Sequence, residues 1–219
     1  DVAVTGVQTC ALPIYNQNII VGAASFFIAD YILGSGGLPA VNANASYRDT
    51  LSSTSGFRNI GYTTNGLELT FQPNFGEVQV DQVLDVAKLY KQGMQVQMKT
   101  SFAEATLENL MVALAYKSEH LTGTKLSSAG QTLVLGAGDI GECPVERGIV
   151  AVGPGTGDCD DSDHIERIYA AYRALSIDNV TVSAKRDAAT MFDVTFRLLP
   201  DDETASYGKV IDRSWTVLS

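Results

Sequence analysis

The sequence is short of positive charge, cysteine, histidine and long apolar runs, and each shortage removes a class of function. Fifteen Lys and Arg stand against 25 Asp and Glu, for a formal net charge of -10. A grip on nucleic-acid phosphates requires clustered basic side chains, and the chain has no such cluster in sequence. Three cysteines are too few and too irregularly spaced for a disulfide framework. Cys143 and Cys159 can pair only if the fold brings them together, and free thiols in a reducing cytoplasm are expected. His120 and His164 are far apart, which argues against a zinc site. The apolar stretch Ile19 to Leu33 is shorter than the ~20 residues a membrane-spanning helix needs and contains Asp30, so it predicts buried strand and no membrane partner.

What is present is a globular composition. At 219 residues and 45% hydrophobic, the chain can bury a core as a single domain. Residues 1–14, which include "VTGVQTCALPI", resemble a translated sequencing adapter or a disordered tail and are set aside. The domain is then 15–219, with a long loop at about 34–59 that is rich in Gly, Ser, Asn and Thr. Connections of that length in compact domains are uncommon; this one either orders against a neighbour or is an ordinary surface loop.

The clearest local plan lies in "GMQVQMKTSFAEATLENLMVALAY". Met94, Val96 and Met98 alternate with Gln95, Gln97 and Lys99, the period of a half-buried strand. Ser101 and Glu104 have capping-box spacing, which predicts a helix over about Phe102 to Tyr116. Phe102, Leu107, Leu110, Met111 and Leu114 form the face expected to pack on the sheet, with Glu104, Glu108 and Asn109 opposite. Upstream, Gly61 to Asp81 reads as sheet with a turn at Pro73-Asn74, its oily face set against one carrying Glu68, Glu77 and Asp81. Downstream, Val180, Val182 and Ala184, then Phe192, Val194, Phe196 and Leu198, alternate with polar residues and predict a hairpin. The tail through Trp215 is expected as an edge strand or an arm to a neighbour.

The block "GEVQVDQVLDVAKLYKQGMQVQMKTSFAEATLENL", Gly76 to Leu110, resembles the central block of the major tail tube proteins of long-tailed bacteriophages. "SYRDT", "GYTTNGLELTF" and "VTFRLLPDD" follow that family's order. The resemblance implies an α+β, mainly antiparallel fold, a β-sandwich or partly closed barrel with one main helix packed on it. It also implies a strand at Ile165 to Leu175, where the stripe of Ile165, Ile168, Tyr169, Tyr172 and Leu175 and its preceding caps would by themselves suggest a helix.

In function, the resemblance implies a structural virion protein and not an enzyme. Copies would assemble into stacked hexameric rings, with other phage tail proteins as partners, in the host cytoplasm and then in the virion tail. DNA would pass through the lumen without specific binding. Glu68, Glu77 and Asp81 become candidate lumen-facing residues, because basic side chains would hold phosphates. Baseplate hubs and type VI secretion tubes share the fold, which does not separate them.

Other motifs carry less. Gly136, Gly138 and Gly141 match G-x-G-x-x-G after a short strand, the basis of an alternative reading as a nucleotide-binding enzyme. The following "ECPVERGIVAV" has Pro144 and Gly148 where a phosphate-binding helix would start. Asp158, Asp160 and Ser162 have calcium-loop spacing, but Asp163 replaces the required Gly and Tyr169 the bidentate Glu. Nothing nominates a catalytic residue, a cofactor or a metal.

Overall fold

A computed structural model describes residues 20–216 except 21, 35, 83, 84, 139, 142, 157–163, 184 and 188. The adapter-like segment, the calcium-like run and Cys159 therefore lie outside the described residues, and with Cys159 the pairing to Cys143.

Among the described residues the fold is mainly antiparallel β with two short α-helices. The strands are β1 (Ser25–Ala29), β2 (Phe57–Asn59), β3 (Thr63–Val78), β4 (Lys88–Phe102), β5 (Leu121–Gly123), β6 (Gln131–Leu133), β7 (Arg147–Pro154), β8 (His164–Ser176), β9 (Phe192–Leu199) and β10 (Gly208–Trp215). The helices are α1 (Tyr47–Ser53) and α2 (Leu107–Ala113). Eight strands make one sheet in the order β2-β1-β7-β8-β9-β4-β3, with β10 also pairing β8, while β5 and β6 form a separate pair.

Side chains on successive strand positions go to opposite faces, so a strand covered on both sides needs apolar residues throughout. That is the condition of β1, β7 and β8. On one face Phe26, Ile28, Ile149, Ala151 and Ala171 join Val96, Met98, Phe192 and Phe196 in a cluster covered by Met111, Val112 and Ala113 of α2. On the other, Phe27, Val150, Ile168 and Tyr172 pack with Leu33 and with Tyr47 and Leu51 of α1. The β9 strand keeps strict alternation, since only its Phe192, Val194, Phe196 and Leu198 face that first cluster.

Several expectations change. Residues 164–176 are a strand, β8, as the resemblance implied. Their helical stripe arises because an apolar run buried on both faces satisfies either period. The long loop expected at 34–59 holds both α1 and β2; α1 is N-capped by Ser46, whose Oγ accepts from the Arg48 amide. Pro73 and Asn74 do not turn the chain; both lie within β3, an edge strand, where a missing N–H costs no ladder bond. The expected strand at 180–184 does not form among the described residues, so β9 has no hairpin partner there.

The helix is shorter than expected. Ser101 and Phe102 remain in β4, where Phe102 is fully buried and the Ser101 hydroxyl donates to Asp193 of β9. Ser101 is thereby unavailable as a cap, and Thr106 takes that role by accepting from the Asn109 amide. Leu110 and Met111 pack on the first cluster as expected, whereas Leu107 is only half-buried in the first turn and Leu114 is half-buried at the C-cap. Asn109, expected to face solvent, is 1% exposed. Its Oδ1 accepts from Arg58, and its Nδ2 donates to the carbonyls of Ile60 and Glu104. A buried amide with three such bonds is a polar pin between α2 and β2.

Candidate assembly interface

The sheet is not uniformly supported. Partner strand β9 pairs β4 only from Val96 to Phe102, while β3 and β4 continue pairing out to Val78 and Lys88. Beyond Val96, then, two strands project with only each other as strand partners among the described residues, and there β3 has a free edge along all 16 of its residues. An isolated two-stranded hairpin is marginal in water, and a long exposed edge is a template for another strand.

Local chemistry shapes this hairpin. The register shifts between Asn74 and Phe75 because Gln92 is an extra residue in β4, a bulge that re-aims the distal part. Gly76 sits beneath the Tyr90 ring, which a Cβ at that position would meet at 2.6 Å. Nearer the core, Asn65 and Gly66 take left-handed conformations (φ 64° and 65°), and the Gly66 carbonyl accepts from the Thr100 hydroxyl.

The hairpin leaves apolar side chains in water. Phe75 is 55% exposed and Leu89 59%, and the two are cross-strand neighbours of the pairs on either side, Phe75 with Lys91 and Leu89 with Glu77. With Leu69 and Phe71 they form a row on the sheet face that carries the first cluster. Val78 and Tyr90 are exposed on the reverse. The row runs into an apolar groove of about 240 Å³ between the hairpin and β10, lined by Phe71, Met94, Tyr169, Tyr207 and Val210. The Tyr207 hydroxyl spans it, donating to the Met94 carbonyl at 2.7 Å.

The three candidate lumen residues are exposed but do not share a face. Glu68 and Glu77 are an odd number of positions apart on one continuous strand and so project from opposite sides, and Asp81 is in the turn beyond β3. Glu68 stands opposite Lys99, on a face that also presents Asp193 and Arg197. With Lys88, which pairs Val78 on the same side, the wet face of β3, β4 and β9 carries three bases against two acids, where the sequence had suggested an acidic wall. Strand parity alone could have separated Glu68 from Glu77, had the turn not been assigned to Pro73-Asn74.

The remaining motifs are not assembled into sites. Gly136 to Gly138 lie in a loop, and the chain beyond Gly141 runs through Cys143 to Glu146 into β7, antiparallel to both β1 and β8. No helix N-terminus follows among the described residues, so a pyrophosphate would lack its main ligand there. His120 stacks on Tyr116 at 5.0 Å between ring centroids, and His164 packs at a tilt against Trp215 at 4.5 Å. Among the described residues no group of three His, Cys, Asp or Glu could hold a metal ion. No helix among the described residues is long and apolar enough to cross a membrane.

A polar node missed in the sequence lies at the opposite side of the sheet from the hairpin. Glu166 of β8 is buried, paired with Arg213 of β10 at 3.2 Å, and accepts from the Ser46 hydroxyl and the Tyr47 amide at 2.7 Å each. Burial pushes the nearby Tyr47 phenol up to about 12, with Arg213 lowering and Glu166 raising it. Adjacent to the node, Arg167 clasps Asp212 with two nitrogens and holds that carboxyl below the usual aspartate range. Sequence spacing could not have paired residues 166 and 213.

Compared with known proteins, the chain matches no family model and no curated sequence.

Proposed function

We propose that this chain is a structural subunit of a phage tail tube, whose sheet is completed by further copies of itself. The observation that carries the reading is the β3–β4 hairpin, which projects past its last partner strand with a free edge and exposed Phe75 and Leu89. Burying such side chains contributes about 1.5–3 kcal/mol each, and edge pairing removes the aggregation hazard of an open strand. The partly closed barrel is the finer fold this reading requires, with neighbouring hairpins supplying the closure. Head-to-tail contacts of this kind generate rings, and stacked rings an open-ended tube.

Charge supports passage of DNA without binding. The chain is acidic overall, at a formal net charge of -10, although the wet face of β3, β4 and β9 sets Lys88, Lys99 and Arg197 against Glu68 and Asp193. It is the net negative charge of the whole chain that disfavours a standing grip on phosphate.

Negative-stain electron microscopy of the purified protein, with and without residues 1–14, tests the proposal. Stacked rings or filaments are the expected result. A persistent monomer at high concentration sinks it, and single rings that never stack favour a hub-like role. A rise in Tm on adding NAD or ATP would instead favour the nucleotide-binding reading.

A further inference from the structure

Strand β10 and the segment 42–47 meet on one buried carboxylate. Glu166 holds the segment through the Ser46 hydroxyl and the Tyr47 amide, and holds β10 through Arg213. Arg213 in turn donates from Nη2 to the carbonyls of Asn42 and Ala45 at 2.7 Å each, and the Thr216 amide donates to the Ala43 carbonyl at 3.1 Å. Loss of β10 would therefore strip a buried carboxylate of its counter-charge and three backbone carbonyls of their donors. Loss of the segment would strip Glu166 of two donors and Arg213 of two acceptors. The carbonyls of Asn42 and Ala43 are near water, but the side chains of Glu166 and Arg213 are buried, and an unpaired buried charge is costly, so neither element leaves cheaply while the other stays.

Register is built into the same contact. Arg213 is opposite Glu166 and Asp212 is opposite Arg167. A slip of one residue either way sets Arg213 against Arg167, or Asp212 against Glu166. Like charges in direct opposition disfavour both slips, so only one pairing closes the contact.

We infer that β10 and segment 42–47 form a single latch, ordered and released together through Glu166, that decides whether the β8 edge from His164 to Ala171 is covered. Buried ion pairs add little net stability against apolar substitutes, and their best-attested use is to select one arrangement over others. The latch has that character. Its release exposes a strand edge to other chains, independently of whether the assembled object is a tube.

Hydrogen exchange read by mass spectrometry on the full chain tests it, using Ser46→Ala and Arg213→Met. Ser46→Ala removes the hydroxyl that donates to Glu166 and also N-caps α1; about a fivefold to tenfold loss of protection is expected from the Glu166 bond, beyond what the lost cap adds at 44–53. That loss should appear at 209–215 as well as at 44–53, while β4 and β9 keep their protection. Arg213→Met should loosen the same two stretches together by about a hundredfold or more, because it leaves a buried charge unpaired. The inference is overturned if Ser46→Ala loosens 44–53 and leaves 209–215 unchanged, or if every strand loosens equally. Should Arg213→Met fail to fold, Ser46→Ala decides alone.

Discussion

The centre of the sheet and its β3–β4 hairpin are built from the same antiparallel pairing but live under opposite conditions. Strands β1, β7 and β8 are covered on both faces, by α1 on one side and α2 on the other. The hairpin beyond Val96 is touched only near its base, where Tyr207 reaches Met94, and among the described residues no third strand flanks it. The centre can thus be stable within one chain, whereas the hairpin's apolar row has its energetic justification only in contact with something else. On the proposed reading, stability and assembly belong to different parts of one sheet.

Substitutions should separate the two roles. The largest effect is expected in the centre: Phe26→Ala, at a fully buried position, should cost about 3–5 kcal/mol in urea unfolding. A cost under about 1 kcal/mol would mean that the doubly covered centre is not the stable unit. Next comes Asn109→Ala, which leaves Arg58 and two carbonyls without their partner and should cost about 2–3 kcal/mol. On the hairpin, Phe75→Asp with Leu89→Asp should move the unfolding midpoint of the monomer by less than about 0.5 kcal/mol. The same double variant should abolish rings and filaments in light scattering, and normal assembly would break the comparison.

The smallest effect concerns acid. Asp212 is held below its ordinary value of 3.8, first by the Arg167 hydrogen bonds. A depressed carboxyl contributes stability that is fully present above the ordinary value and is lost as pH falls through the lower folded value. Asp212→Asn should therefore lower stability slightly at neutral pH and flatten its decline below about pH 4. An unchanged acid limb, followed by circular dichroism, would show that the exposed clasp does not contribute.

Much of the fold was readable. Alternation announced β9 and the inner half of β4, since each has one dry face, and the core role of Phe102, Leu110 and Met111 followed from spacing. The start of α2 was misplaced because Ser101 and Thr106 both satisfy local capping rules, and the cross-strand bond to Asp193 decides between them. A cap signal at Ser46 and Asp49 was present but hidden in a polar stretch. The proposed assembly surface was legible only as exposed polarity at Glu68, Glu77 and Asp81; its apolar row looked like ordinary core.

By itself the sequence determined the class of the protein: a mostly β globular chain, acidic, with helical period confined to short segments. Those properties follow from composition and side-chain period, which are local. Only the tertiary structure decided that β8 is a strand buried on both faces, that β3 and β4 outrun their partner, and that Glu166 meets Arg213. Each depends on contacts between residues distant in the chain, and local spacing carries no record of which distant strand will lie alongside.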